Sequence, residues 1–277
     1  MVTCRSAFGR TYLSRGWWAA RGPHFAEARQ PHEPAQDVEG EQDIKRSISV
    51  TMKTVTAATL VAGGATAVAN LSSANATADG CPEVLVIFAR GTFEGPGAGK
   101  VGDPFVAAIR SRASQRTVVD EHPVNYPASL DFPRVVDGVI DASDTIRSVA
   151  QSCPATKMVL GGYSQGAAVA AYTTFDHLPP NYDLPAGIAG PLSPEVASHV
   201  AAVVLFGLPT DGVVSLLDSQ APPIVIGAPF NGKVLQLCNP GDPVCEPGGR
   251  DRPAHSAYVD NGSIDQAADF AAAALHW

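Results

Sequence analysis

The chain has 277 residues, 45% of them hydrophobic and 17% charged, with a formal charge of −8. That balance suits a single globular domain and excludes a disordered chain. From Thr77 onward 11 basic residues stand against 21 acidic ones; a surface that acidic repels phosphates, which argues against nucleic acid as a partner.

Residues 1–51 hold 7 Lys/Arg, 6 Asp/Glu and Cys4, and are close to neutral. Residues 54–78 carry no charge at all, with Lys53 just before them and Ala74-Asn75-Ala76 near their end. A charged start, a short apolar middle and a small-residue exit make a secretory signal peptide. A membrane anchor fits less well, because the stretch is built from Ala, Thr and Gly and is interrupted by Gly63-Gly64. The signal peptide is expected over 52–76, with cleavage near Ala76 or Ala78 and translation starting at Met52. Residues 1–51 then become a non-structural leader or a misassigned start, and the folded domain runs over 77–277.

The remaining elements alternate. "EVLVIFA" (83–89) is a continuous apolar run, as a strand buried on both faces requires. A Gly-rich loop leads to a helix over roughly 103–115, "TVVDEHPV" reads as a second strand, and 131–152 as a long helix with apolar residues at helical spacing. "KMVLGG" (157–162) is the next strand and 165–175 the next helix. A loop dense in Pro and Gly follows, then the buried strand "HVAAVVLFG" (199–207), a last strand "GKVLQLC" (232–238) and a closing helix over 264–277. Alternation of this kind implies an α/β fold whose parallel sheet is covered on both faces.

Gly162-Tyr163-Ser164-Gln165-Gly166 lies between a strand and a helix. In that setting G-x-S-x-G is a nucleophile elbow: a strained turn lifts the serine above the C-terminal edge of the sheet, and the next helix aims its N-terminus at a developing oxyanion. A serine needs a base, and the base a carboxylate to orient it. Of His177, His199, His255 and His276, only His255 lies in a loop after the last strand, where it can reach over the sheet edge. Asp242 follows the final strand inside "LCNPGDPVCEPGG"; its rival Asp251 is only four residues before His255, between Arg250 and Arg252. Ser164, Asp242 and His255 are therefore the expected catalytic residues. The loop 89–103 resembles a phosphate loop at Gly99-Lys100, but Glu94 stands where the first glycine belongs and Val101 where a Ser or Thr belongs. It suits a second role better: Thr92, with the backbone N–H of Gln165, supplies the oxyanion hole.

Without Cys4 the cysteines number four, which permits three pairings. Cys81 and Cys153 each immediately precede a proline and then an expected strand, and Cys238 and Cys245 close a tight loop, so 81–153 and 238–245 are the expected bonds. No His/Cys cluster stands at ligand spacing, and neither a metal nor a cofactor is expected.

From Cys81 onward the chain resembles the cutinases, particularly the cutinase-like esterases exported by mycobacteria and related actinobacteria. The resemblance rests on "CPEVLVIFARGTFEGPGAGKVG", "GGYSQGAAV", "GDPVC" and "AHSAYVDNG", in that order. It implies an α/β-hydrolase-type three-layer sandwich with a short, mainly parallel central sheet and no large lid. It also implies the disulfides as paired above, a triad on Ser164, Asp242 and His255, and oxyanion donors on Thr92 and Gln165. The expected function is a secreted serine esterase, a monomer that hydrolyses short- to medium-chain esters, lipids or polyesters through the triad and an acyl-enzyme and is able to contact lipid interfacially. Its alternatives are an acetyl-carbohydrate esterase on the same triad, or an envelope protein that binds lipid or a host factor with its chemistry vestigial. The Pro-rich 178–194 stretch is the only candidate flap, and reads as an ordinary connection.

Overall fold

The computed structural model describes residues 80–180 and 182–277. The leader over 1–51, with Cys4, and the signal peptide over 52–76 lie outside the described residues.

Five strands form one parallel sheet: β1 (Val84–Ala89), β2 (Val119–Pro123), β3 (Lys157–Tyr163), β4 (Val200–Phe206) and β5 (Val234–Leu237), in the order β2-β1-β3-β4-β5. Alternate residues of each strand enter opposite cores. Ile87, Leu160 and Val203 face the helices α2 (Val135–Ser152) and α3 (Gln165–Thr173). Val86, Phe88, Val159 and Phe206 face α1 (Gly99–Arg112) and α6 (Ser263–Ala274). The result is the expected three-layer sandwich. From β1 the chain winds one way to β2 and then the other way to β3, so the connections reverse between β1 and β3. Open α/β sheets bind ligands outside the strand C-termini at such a reversal, and Thr92 and Ser164 follow the two strands that flank it.

Several boundaries differ from the sequence expectation. Helix α1 starts at Gly99 rather than near 103, because the Glu94 carboxylate accepts the Lys100 N–H at 3.1 Å and so satisfies one free donor of the first turn. Helix α3 ends at Thr173, where the Thr173 and Thr174 hydroxyls donate back to the carbonyls of Val169 and Ala171. Two short helices occupy segments not expected to be helical, α4 (Pro194–Ser198) and α5 (Asp211–Leu217); each is capped by a hydroxyl, from Ser193 and Thr210. The segment holding His255 is a 3-10 helix, Arg252–Val259, rather than a loop. The Pro-rich stretch runs along α2: Arg147 donates to the Gly190 carbonyl, and a Cβ on Gly187 would meet Ile140. With α2, α3 and the segment 218–225 it lines an open cleft of about 720 Å3, bordered in part by Val136, Tyr172 and Leu184 and by none of the five expected site residues.

Both expected disulfides are present. Cys81–Cys153 joins the entries of β1 and β3, 72 residues apart, and Cys238–Cys245 closes a loop with a separation of 7. In the chain-entropy account a longer loop is worth more: about 4 kcal/mol for the first bond and about 2.5 kcal/mol for the second. Urea unfolding should rank Cys81→Ser/Cys153→Ser as the larger loss of stability. Turnover per folded molecule should fall only in Cys238→Ser/Cys245→Ser, by about ten-fold or more, because that loop carries Asp242. The reverse ranking in activity would exclude a role for the small loop in holding the carboxylate.

Candidate active site

The site is built on backbone that only certain residues permit. Ser164 has φ +55° and ψ −120°, outside the regions a serine ordinarily occupies. Its N–H still donates to the Phe206 carbonyl at the end of the sheet, 2.9 Å away, while its own carbonyl already accepts from Ala167 and Ala168 of α3. Strand thus becomes helix within one residue. The two flanking glycines allow it: a Cβ on Gly162 would lie 2.0 Å from the Gly166 carbonyl oxygen, and one on Gly166 would lie 1.9 Å from that of Ala89.

His255 Nε2 lies 2.9 Å from Ser164 Oγ, and His255 Nδ1 lies 2.8 and 2.9 Å from the two oxygens of Asp242. An ionised carboxylate only accepts, so Nδ1 carries the ring hydrogen and Nε2 is left as the acceptor facing the serine hydroxyl. Asp242 is wholly buried, and His255 keeps 18% of its side chain exposed. A buried charge requires donors. Besides His255, Asp242 receives the Val244 N–H at 2.8 Å and the Tyr258 hydroxyl at 2.7 Å. Among the rivals, Asp251 takes up the start of the 3-10 helix, its N–H on the Gly241 carbonyl, and His177 pairs with Asp176. His199 and His276 sit at the ends of α4 and α6.

The candidate oxyanion donors meet at the same edge. The Thr92 hydroxyl lies 3.5 Å from Gln165 Oε1, and Gln165 Nε2 donates to the Ser129 carbonyl at 2.7 Å. The Gln165 side chain is thus tied down, while its N–H occupies the first position of α3, where no intrahelical acceptor exists. Arg90 secures the loop from below. Buried and without a carboxylate partner among the described residues, it donates to the carbonyls of Glu94, Val124 and Tyr126, and its guanidinium lies 5.1 Å over the Tyr126 ring. The Glu94 carboxylate accepts from Gly91 and Lys100 and closes the turn.

Tyr163 stacks on His255, ring centroids 5.1 Å apart, and donates to the His255 carbonyl at 2.6 Å. Burial pushes its phenol up to about 12, so it stays a neutral donor there. The sequence assigns no site role to Tyr163, Tyr258 or Arg90, and marks Glu94 only as a departure from a phosphate loop. The two tyrosines stand one residue before Ser164 and three after His255, and that spacing is their only local signal. Among the described residues no three His, Cys, Asp or Glu side chains are grouped to hold a metal ion, and no helix is long and apolar enough to cross a membrane.

A doubly covered parallel sheet, with a strained serine at the exit of its central strand, defines an α/β-hydrolase-type fold. The chain belongs to the cutinase family, whose match spans residues 80–275. It is 45% identical over 177 residues to a probable carboxylesterase of Mycobacterium tuberculosis, Culp5, covering 64% of this chain and 98% of that one. A phospholipase of the same organism, Culp4, is 43% identical over 196 residues, 71% of this chain and 80% of its own. The solved structure of Trichoderma reesei cutinase with a phosphonate inhibitor is 32% identical, with a TM-score of 0.51 over 70% of this chain and 77% of that one. The protein is a carboxylic ester hydrolase.

Proposed function

We propose that the protein is an exported serine esterase that cleaves short- to medium-chain esters by acyl transfer through Ser164, His255 and Asp242. The observation that carries this reading is the unbroken chain from Ser164 Oγ to His255 Nε2 and from His255 Nδ1 to Asp242. As Ser164 Oγ attacks the ester carbonyl, His255 Nε2 takes its proton and Asp242 stabilises the imidazolium. The N–H groups of Thr92 and Gln165 and the Thr92 hydroxyl receive the oxyanion; each such donor is worth roughly 100- to 1,000-fold. His255 then protonates the departing alcohol. Water enters against the acyl-serine with His255 as base, and collapse of the second tetrahedral intermediate frees the acid.

Two observations support the wider reading. Two disulfides suit an oxidising compartment. Phe93 and Leu130, 76% and 64% exposed, sit beside Thr92 and Ser129, and the Phe93 N–H on the Ala128 carbonyl ties their loops together. Two large apolar side chains in water at the rim of an ester site suit contact with an aggregated lipid or polymer.

The test is hydrolysis of p-nitrophenyl esters from acetate to palmitate, with Ser164→Ala as the blank, repeated on emulsified triglyceride with Phe93→Ser/Leu130→Ser. A serine-dependent maximum at short to middle chains is expected, with the double variant losing activity on the emulsion and keeping it on soluble esters. Activity confined to acetate would assign an acetyl-carbohydrate esterase. No difference from the blank in folded protein would leave only binding.

A further inference from the structure

The triad is held by two tyrosines in sequence: the residue before Ser164 holds His255, and a residue one turn past His255 holds Asp242. We propose that Tyr258 is a positioning residue that sets the orientation and basicity of the Asp242 carboxylate, and through it of His255. The proposal rests on the triad reading above.

Tyr258 is completely buried, and its hydroxyl touches three residues of the Cys238–Cys245 loop, Asn239, Asp242 and Cys245. The Asn239 N–H donates to the phenol oxygen at 3.2 Å, and Cys245 Sγ lies 3.4 Å away. With that lone pair taken, the phenol hydrogen goes to Asp242 Oδ2, 2.7 Å away, an oxygen that can only accept. The spacing has a geometric cause. A 3-10 helix repeats every three residues, so side chains at i and i+3 stand on one face, and His255 and Tyr258 both lie in the 3-10 segment Arg252–Val259. Both therefore reach the same carboxylate: Oδ2 receives Tyr258 and His255, while Oδ1 receives Val244 and His255. The phenol ring is fixed edge-on against Tyr163, Phe206 and His255. It cannot swing away without breaking the aromatic core.

A donor on Oδ2 does two things. It stops the carboxylate turning about its own axis, and it draws charge from the oxygen that faces the imidazole. Removing it leaves a looser, more basic carboxylate, a better-stabilised imidazolium and a His255 that holds its proton to higher pH. Other charged groups lie near the residues around the pair. Glu246 and Asp251 flank Gly241 on the Asp242 loop, the Glu246 carboxylate accepting from Gly241 N–H. Glu94 is near Tyr163 on the far side, and the Lys100 ammonium lies 5.0 Å over the Tyr163 ring. A phenylalanine at 258 leaves all of them in place.

The experiment measures kcat, KM and the pH profile of p-nitrophenyl butyrate hydrolysis for wild type, Tyr258→Phe, Asp242→Asn and the double variant. Tyr258→Phe is expected to lower kcat about ten-fold with KM little changed, the loss of one hydrogen bond to a charged group. Its acid limb should move to higher pH. In the Asp242→Asn background the same substitution should cost less than about two-fold, because the two act as a unit. An unmoved acid limb, or an equal loss in both backgrounds, reduces Tyr258 to packing and overturns the proposal. Wild-type activity in Asp242→Asn overturns the triad reading first. If Tyr258→Phe does not fold, 3-fluorotyrosine at position 258 keeps the ring and strengthens the donor. The acid limb must then move to lower pH, and a limb that stays put overturns the proposal.

Discussion

Replacing Ser164 with alanine should lower kcat/KM on p-nitrophenyl butyrate by about 100,000-fold or more, with the unfolding midpoint in urea within error of the wild type. The size of the loss follows from the way a triad works as a unit: without the nucleophile, only binding and the oxyanion hole remain, and these alone supply a small residue of the rate. The fold should survive because alanine keeps the Cβ that already tolerates φ +55°, and what disappears is a hydroxyl whose partner is His255 Nε2. A fluorophosphonate should label the wild type at this serine and leave the variant unmarked. If the variant retained even a tenth of the wild-type activity, another nucleophile would have to be sought.

The second large effect concerns stability. Gly166→Ala should destabilise the protein by about 4 kcal/mol, at the upper end of what overpacking costs. The new methyl would lie 1.9 Å from the Ala89 carbonyl oxygen and 2.4 Å from that of Arg90. Both are backbone atoms at the exit of β1, with no side chain free to rotate aside. Helix α3 can relieve the clash only by lifting away from β1, and that would carry the Gln165 N–H away from Thr92, so turnover should fall as well. Gly95→Ala is the matched control. A Cβ there has nothing within 4 Å and the backbone is not left-handed, so urea unfolding should place it within about 0.5 kcal/mol of the wild type. Equal midpoints for the two variants would show that α3 is not seated as tightly as this geometry requires.

The elbow was legible in the sequence because its causes are local: an apolar run, two glycines around a serine and an alanine-rich helix within about fifteen residues. The sheet was legible for the same reason, since each buried strand is a continuous apolar run. Asp242 and His255 could be chosen by chain order and by their place after the last strand, and the structure sets both within hydrogen-bond reach of the rest. The secondary structure around His255 was harder. "RPAHSAYV" shows no 3.6-residue period because it coils at three residues per turn. Helices α4 and α5, five and seven residues long, are too short to display any period, and their hydroxyl caps stand among Pro and Gly residues that signal a loop. Arg90 and Tyr258 were hidden for another reason. Arg90 binds carbonyls as far as Val124 and Tyr126, 34 and 36 positions away, and Tyr258 binds Asp242, 16 positions away, so the burial of this cation and this phenol depends on distant partners.

The Cys81–Cys153 bond has a bearing on how such a protein can change over generations. It ties the entries of β1 and β3, whereas Thr92, Ser164 and Asp242 all follow strand exits. The staple and two of the proposed site residues, Thr92 and Ser164, therefore stand at opposite ends of the same two strands, β1 and β3. Substitutions near the staple are expected to lengthen or shorten the working life of the molecule and to leave the geometry of the proposed site in place. Those at the opposite rim can retune the choice of ester against a chassis that stays constant. A lineage exploring new substrates would then be expected to diversify at one rim and hold the other still.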